Sequence, residues 1–220
     1  MSFQQLSDEI QRTGLAVLRD KSLEEFVDTC TSMGEILSLQ DVTIIPGSRK
    51  NVSSPGAIPL HSDGPEADVV AWYCVRQDDD DGTSMLLDTI PMLRTLTSEM
   101  RHALASIELP YFDSTSRGRP KGFAPLLLGN CDTAWRVNYA PWLVPAVLNA
   151  EQRDALNAFQ LALTRGAVMQ RRLAEAQCLF IDNWRVLHGR ASLVTESPRL
   201  LKRAWLRTNR QQATYESARF

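Results

Sequence analysis

Paired cysteines, membrane spans and basic charge are all missing from this chain. Its four cysteines, Cys30, Cys74, Cys131 and Cys178, lie far apart with no CxxC or CxH spacing. That excludes a zinc ribbon and a thioredoxin-like pair. Cys74, Cys131 and Cys178 sit among apolar or aromatic neighbours, as small buried thiols do. No apolar run approaches the roughly 18 residues that a membrane helix needs. The opening MSFQQLSDEIQRTG has neither the basic nor the apolar segment of a signal peptide, so a cytoplasmic protein is expected. With 24 Lys and Arg against 26 Asp and Glu, there is no basic excess to hold nucleic acid. Histidine is scarce too, at three in 220 residues, so imidazole chemistry has few places to sit.

What remains suits one globular unit. At 44% hydrophobic, 220 residues can build one sizeable core, and a single domain over 1–220 is expected. Residues 3–12 carry helical spacing that Gly14 ends, and 15–19 read as a strand. Residues 22–37 read as a helix, with Ser22 as N-cap and Glu25 completing a capping box. Pro, Gly and Ser crowd 46–60 into a loop. Residues 67–77 and 83–89 are β-rich, and the intervening DDDDG predicts a hairpin with Asp78–Asp81 as a solvated tip. Asp88 is a helix-start signal for a helical stretch over 91–107, on which His102 reads as a surface or capping residue. TAWRVNYAPW (133–142) reads as a strand entering a turn. Residues 149–175 give the longest helical pattern, with Asn149 a candidate cap. Two strands, 176–188 and 199–209, close the chain. Many short strands around a few helices predict a mixed α/β, mainly β fold, a barrel or jelly roll with flanking helices.

Three short stretches carry the chemistry. In HSDG, His61 and Asp63 are two apart, so an extended segment points both to one side, towards one metal ion. Alone, such a pair is more readily a satisfied polar turn. LFIDNWRVLHGR ends a β-rich run in His188 before Gly189 frees the backbone. Two histidines and one carboxylate form the facial triad of non-haem Fe(II) oxygenases, which leaves positions open for substrate and dioxygen. In RLLKRAWLR, one strand face would read Arg199, Leu201, Arg203, Trp205, Arg207. Such a face suits a polar barrel interior that binds an anion, because the arginine fork pairs bidentately with a carboxylate. A basic exposed edge strand is the plainer alternative.

HSDG, GTSMLLD, DNWRVLHGR and RLLKR, in that order, resemble the TauD/TfdA family of Fe(II)- and 2-oxoglutarate-dependent dioxygenases, from about Gly14 to Arg207. DNWRVLHGR with WRVNYAPW is most similar to the gamma-butyrobetaine hydroxylase branch. The Arg-x-x-x-Arg pattern and its eleven-residue spacing from His188 to Arg199 are closer to TauD and the amino-acid hydroxylases. The resemblance implies a double-stranded β-helix in which His61, Asp63 and His188 bind Fe(II). Arg199 would grip the distal carboxylate of 2-oxoglutarate, assisted by the hydroxyl of Ser84 or, with a poorer match, Thr83. Arg203 would support the cosubstrate or hold a substrate carboxylate. Trp72, Asn138, Tyr139, Trp142, Trp205 and Arg207 lie on or beside these motifs and are candidates for the substrate pocket.

The activity implied is O2-dependent hydroxylation of an unactivated C–H bond in a small carboxylate-bearing metabolite or amino acid, with succinate and CO2 released. Desaturation or cyclisation would draw on the same oxidant. Halogenases related to the family replace the metal-binding carboxylate with a small residue; Asp63 argues against that outcome. The loop over 46–60 has no aromatic, so it lacks the cage a quaternary ammonium substrate wants. Two other classes stay in view: a zinc hydrolase using the same triad, which would have no use for the arginine pair, and a non-catalytic jelly-roll binding module, which would not need a complete triad. Asp182 and Asn183 are expected to brace the turn before His188. The chain is short for the family, which raises a homo-oligomer or a carrier protein as a partner completing the pocket.

Overall fold

The computed structural model describes residues 2–48, 50–78, 82–112, 119–129 and 135–208. Helix α1 (Phe3–Thr13) ends at Gly14, whose φ of 85° is the left-handed region glycine tolerates. Strand β1 (Leu15–Leu18) leads to α2 (Leu23–Met33), opened by the expected Ser22–Glu25 capping box. The helix stops before the expected Leu37, because Gly34 begins β2 (Gly34–Thr43) and that segment pairs along the last strand of the chain. Long-range pairing overrides the weak helical preference of Glu35–Leu37. After a 3-10 turn at Asn51–Ser53 come β3 (Ile58–His61), β4 (Val69–Arg76) and β5 (Ser84–Asp88).

The expected hairpin of residues 67–77 with 83–89 does not form. Strands β4 and β5 lie in different sheets. Val69–Trp72 are buried on both faces, so β4 needs a partner on each side, and both come from later in the chain. Asp78 of the expected solvated tip is instead buried, and Asp79–Asp81 lie outside the described residues, as does Cys131. The single helix expected over 91–107 is two, α3 (Thr89–Leu93) and α4 (Ser98–Ala105). Asp88 caps the first, as its position predicts, and the Thr97 hydroxyl breaks the run by capping the second. Two small ladders follow, β6 (Glu108–Tyr111) with β7 (Gly122–Pro125) and β8 (Leu127–Leu128) with β9 (Arg136–Val137). Of the strand expected over 133–142, residues 133 and 134 lie outside the described residues; the rest holds β9 and ends where Pro141 starts a 3-10 turn.

Helix α5 (Ala150–Arg165) is capped by Asn149 but ends at Gly166, well before Glu175. The continuation becomes β10 (Met169–Arg171), which pairs with β5. The strand expected over 176–188 is likewise two, β11 (Cys178–Asp182) and β12 (Val186–Arg190), divided by a turn at 183–185 and placed in opposite sheets. Strand β13 (Leu200–Thr208) closes the fold.

All pairings are antiparallel, in a five-stranded sheet of order β1-β11-β4-β13-β2 and a four-stranded sheet of order β10-β5-β12-β3. The period of two along each strand builds three apolar layers. On β4 and β11, Val70, Trp72, Leu179 and Ile181 face the other sheet, where they meet Leu86 and Val186. Their alternates Val69, Ala71, Cys178 and Phe180 face outward and pack on Leu6, Ile10, Phe26 and Cys30 of α1 and α2. Leu87 and Leu187 on the far side of the smaller sheet pack on Leu93, Leu104 and Phe159 of α3, α4 and α5. The result is the mainly β jelly roll with flanking helices that the sequence predicts. Cys30, Cys74 and Cys178 are free and buried, and burial pushes their thiols up to about 12, 11 and 12.

Candidate metal centre and cosubstrate pocket

β12 runs between β5 and β3, and His188 stands directly opposite His61 in the β12–β3 ladder. Their ring centroids are 4.3 Å apart. Asp63 lies two residues past His61 on the segment leading to β4. One ligand atom from each of His61, Asp63 and His188 lies within 4.8 Å of the others.

Protonation favours the same arrangement. Burial lowers both imidazoles, His188 to about 3, so each keeps a lone pair at neutral pH. The carbonyl of Pro59 lies 2.9 Å from Nδ1 of His61; an Nδ1–H donated there leaves Nε2 for a metal. Nε2 of His188 lies 3.7 Å from Oδ2 of Asp63, and its buried Nδ1 has no hydrogen-bond partner. Burial alone would raise the Asp63 carboxyl. Arg203, His188 and His61 outweigh it, the Trp205 N–H adds to them, and the net shift is downward. Arg203 Nη1 donates to both carboxylate oxygens at 3.1 and 3.2 Å, and Trp205 Nε1 donates to Oδ2 at 2.9 Å.

These groups open into a cavity of about 440 Å³ between the sheets. Ser84, Arg199, Arg203, Trp72, Asn138 and Trp142 line it, as the sequence expects. Trp72 stands edge-on to His188 at 4.9 Å, and Trp142 lies 5.0 Å from His61 with 44% of its surface exposed at the rim. Four expected residues do not line it. Thr83 spends its carbonyl on the Ala191 N–H. Tyr139 packs edge-on against Phe159 in the helical layer, where its hydroxyl accepts from Gln160. Trp205 stands behind Asp63 rather than in the cavity. Arg207 lies outside the cavity lining, half-buried and paired with Glu35 at 2.9 Å.

One end of the cavity is strongly cationic. Arg199 and Arg190 are 4% and 5% exposed, and the Nε of each is buried without a partner. Arg190 donates through Nη2 to the carbonyls of Ser54 and Gly56, and Ser84 is its cross-strand partner. Burial first, and Arg190 second, push Arg199 down to about 10, which leaves it charged at neutral pH. Two desolvated guanidiniums with a hydroxyl beside them favour an anion, and the buried Asp78 carboxylate near Arg199 meets part of that need. The motif reading assigned Arg190 no role, although it follows His188 by two along a strand and therefore shares its face. Asn51, Val52, Tyr111 and Phe112 also border the cavity, and loop composition gives no sign of that.

The family model described as taurine catabolism dioxygenase TauD, TfdA family matches residues 1–205. A comparison with curated proteins gave no match. Among solved structures, an asparagine oxygenase in complex with Fe(II), 2S,3S-3-hydroxyasparagine and succinate is 19% identical, with a TM-score of 0.76 over 96% of this chain and 81% of that one. The non-heme iron oxygenase OrfP in complex with Fe and alpha-ketoglutaric acid is 18% identical, with a TM-score of 0.73 over 96% and 81%. PvcB from Pseudomonas aeruginosa is 19% identical, with a TM-score of 0.69 over 94% and 80%. At these identities the likeness speaks for the fold.

Proposed function

Because this chain belongs to the taurine catabolism dioxygenase TauD, TfdA family, and is thus an Fe(II)- and 2-oxoglutarate-dependent dioxygenase, we propose that it hydroxylates a C–H bond of a small carboxylate-bearing molecule, an amino acid or a close relative. The observation that carries this reading is one cavity holding both a neutral two-histidine, one-carboxylate cluster and a buried two-arginine end. Family membership sets aside the zinc hydrolase and the non-catalytic binding module.

His61, Asp63 and His188 would hold Fe(II), a donor set that suits this ion and leaves coordination positions open. Arg199 and Ser84 would hold the distal carboxylate of 2-oxoglutarate, which answers the unpartnered buried Nε of Arg199. Bound together there, iron, 2-oxoglutarate and dioxygen supply the oxidising power that converts a C–H bond to C–OH, with succinate and CO2 as co-products. The chain's own part is to orient and to exclude water. Trp72 closes one side of His188, and Trp142 covers His61 at the rim. Arg203 offsets the charge of Asp63 and also borders the cavity, within reach of a second carboxylate. Asn138 and Trp142 line the remaining space for substrate. Among the described residues Asp63 is the one carboxylate lining the cavity, which supports an anionic or neutral substrate over a polycation.

Residues 1–220 act as a single catalytic domain in this reading. Among the described residues, no helix is long and apolar enough to cross a membrane. Three free buried thiols fit the expected cytoplasmic location.

The test is succinate release with Fe(II) and 2-oxoglutarate across a panel of amino acids and small acids, with mass spectrometry of the products. Hydroxylation adds one oxygen; desaturation or ring closure removes two hydrogens instead. A panel in which no substrate stimulates succinate release above the uncoupled rate speaks against the proposed substrate class.

A further inference from the structure

Asp63 sits on a strap, residues 62–68, that joins β3 to β4 without regular secondary structure. A ligand on such a segment must be held by something outside it, since no ladder fixes its backbone. Ser62 is tied to Tyr139 and the Asp63 carboxylate to Arg203 and Trp205; the side chain of Asn183, 1% exposed, supplies the hold on the backbone of Asp63 itself. Its Oδ1 accepts from the Asp63 N–H at 2.9 Å. Its Nδ2 donates to the carbonyls of Ala67 at 2.9 Å, Gly64 at 3.3 Å and Asp63 at 3.4 Å. Its own backbone N–H donates to the Asp68 carbonyl at 2.9 Å. One carboxamide thus grips the strap at both ends.

Asn183 belongs to the turn between β11 and β12, five residues before His188. The clasp therefore ties the segment bearing Asp63 to the turn that launches the strand bearing His188. Only a short carboxamide does this, because the site needs an acceptor and a two-proton donor on one planar group. An aspartate would aim oxygen at three carbonyls, and a glutamine is a methylene too long. We infer that Asn183 is a positioning residue for the metal centre, which fixes Asp63 against His188 before any metal arrives. This rests on the reading of His61, Asp63 and His188 as the ligands.

The strap has a second tie remote from Asp63. The Asp68 carboxylate accepts from Trp184 Nε1 at 3.2 Å, and from the Thr208 N–H and hydroxyl at 2.7 and 3.0 Å. That tie keeps the strap attached when Asn183 is cut back, so the loss falls on geometry rather than on the fold.

The experiment titrates Co(II) into the metal-free full chain, with calorimetry and the visible spectrum of the bound ion as readouts. The wild type binds one ion. Asn183→Ala lowers affinity about ten- to a hundred-fold, the range for groups that orient metal ligands, and alters the spectrum. Thr208→Val, which removes the hydroxyl bond from the remote tie and leaves the two N–H bonds, lowers thermal stability slightly with affinity unchanged. Wild-type affinity and spectrum in Asn183→Ala overturn the inference, and so does an equal loss in both variants. A wild type that binds no Co(II) overturns the ligand reading instead. Should Asn183→Ala not fold, exchange of the Asn183 side-chain protons in metal-free wild type decides. Slow exchange unchanged by Zn(II) supports a preformed clasp, and fast exchange that Zn(II) suppresses overturns it.

Discussion

His61 and His188 occupy the same rung of an antiparallel ladder, and that rung puts two imidazoles from distant parts of the chain within 4.3 Å of each other, centroid to centroid. The next residue shows how tight the rung is. A Cβ on Gly189 would lie 2.6 Å from the Ile58 carbonyl oxygen and 3.2 Å from the Leu60 nitrogen, both backbone atoms of β3. Gly189→Ala is expected to force β3 and β12 apart, at a cost of about 1–3 kcal/mol in stability, and to weaken metal binding. Thermal melts paired with metal titration check both effects.

His188→Ala is expected to abolish metal-dependent succinate formation. Wild-type turnover in that variant would falsify the ligand assignment.

Trp205→Phe keeps an aromatic side chain but removes the N–H whose bond Asp63 accepts at 2.9 Å. Hydrogen bonds to charged groups contribute about 1.5–3 kcal/mol. Because that bond is already made in the metal-free protein, the expected result is stability lower by an amount in this range, with metal affinity lower as Asp63 loses one of its side-chain anchors. Melts and calorimetric titration of the variant against wild type measure the two effects.

Arg199→Ala is expected to raise the KM for 2-oxoglutarate by about 30-fold or more, since removing one partner of a buried charge pair costs at least about 2 kcal/mol. The kcat should move far less. Arg207→Ala, on the same strand but paired at the surface with Glu35, should leave both constants within about two-fold. Parallel effects in the two variants would mean that Arg199 acts through the strand's general charge.

In the metal-free protein, burial holds His188 near 3 and His61 below its ordinary value. An unfolded chain takes up protons near pH 6.5 that the folded one refuses. Stability from these groups is therefore fully present above that pH and falls as the pH drops from about 6.5 towards 3. The slope is about 1.4 kcal/mol per pH unit for each histidine. Asp63, also lowered, adds a loss in the same direction at the acid end. Denaturant melts between pH 5 and 8 test this, and a flat profile across that range contradicts it.

The parts of this molecule visible in the sequence are those with local causes. Ser22 with Glu25, Asn149 and Asp88 mark helix starts because a cap is a contact over two or three residues. His61, Asp63, His188 and Arg199 stood out through motif order. What stayed hidden depends on partners far along the chain. β4 and β5 look like a hairpin until the burial of β4 on both faces is known, and Glu35–Leu37 look helical until β13 claims them. Tyr139 and Arg207 sat beside true cavity residues in sequence, yet one turns into the helical layer and the other lies outside the cavity lining. Arg190 was within reach of simple alternation from His188. Asn183 was expected as a brace, but its grip on a strap some 120 residues earlier exists only in three dimensions.

The placement of β12 also constrains how the protein is made. It is the inner strand that enters between two much earlier ones, so ribosomal synthesis delivers the first imidazole and the acid long before the second imidazole emerges. A nascent polypeptide halted after α5 carries two of the three proposed ligands on a sheet with a gap in its middle. With the proposed ligand set, iron capture waits until His188 has been made, and a chain that stops short of it lacks the third ligand.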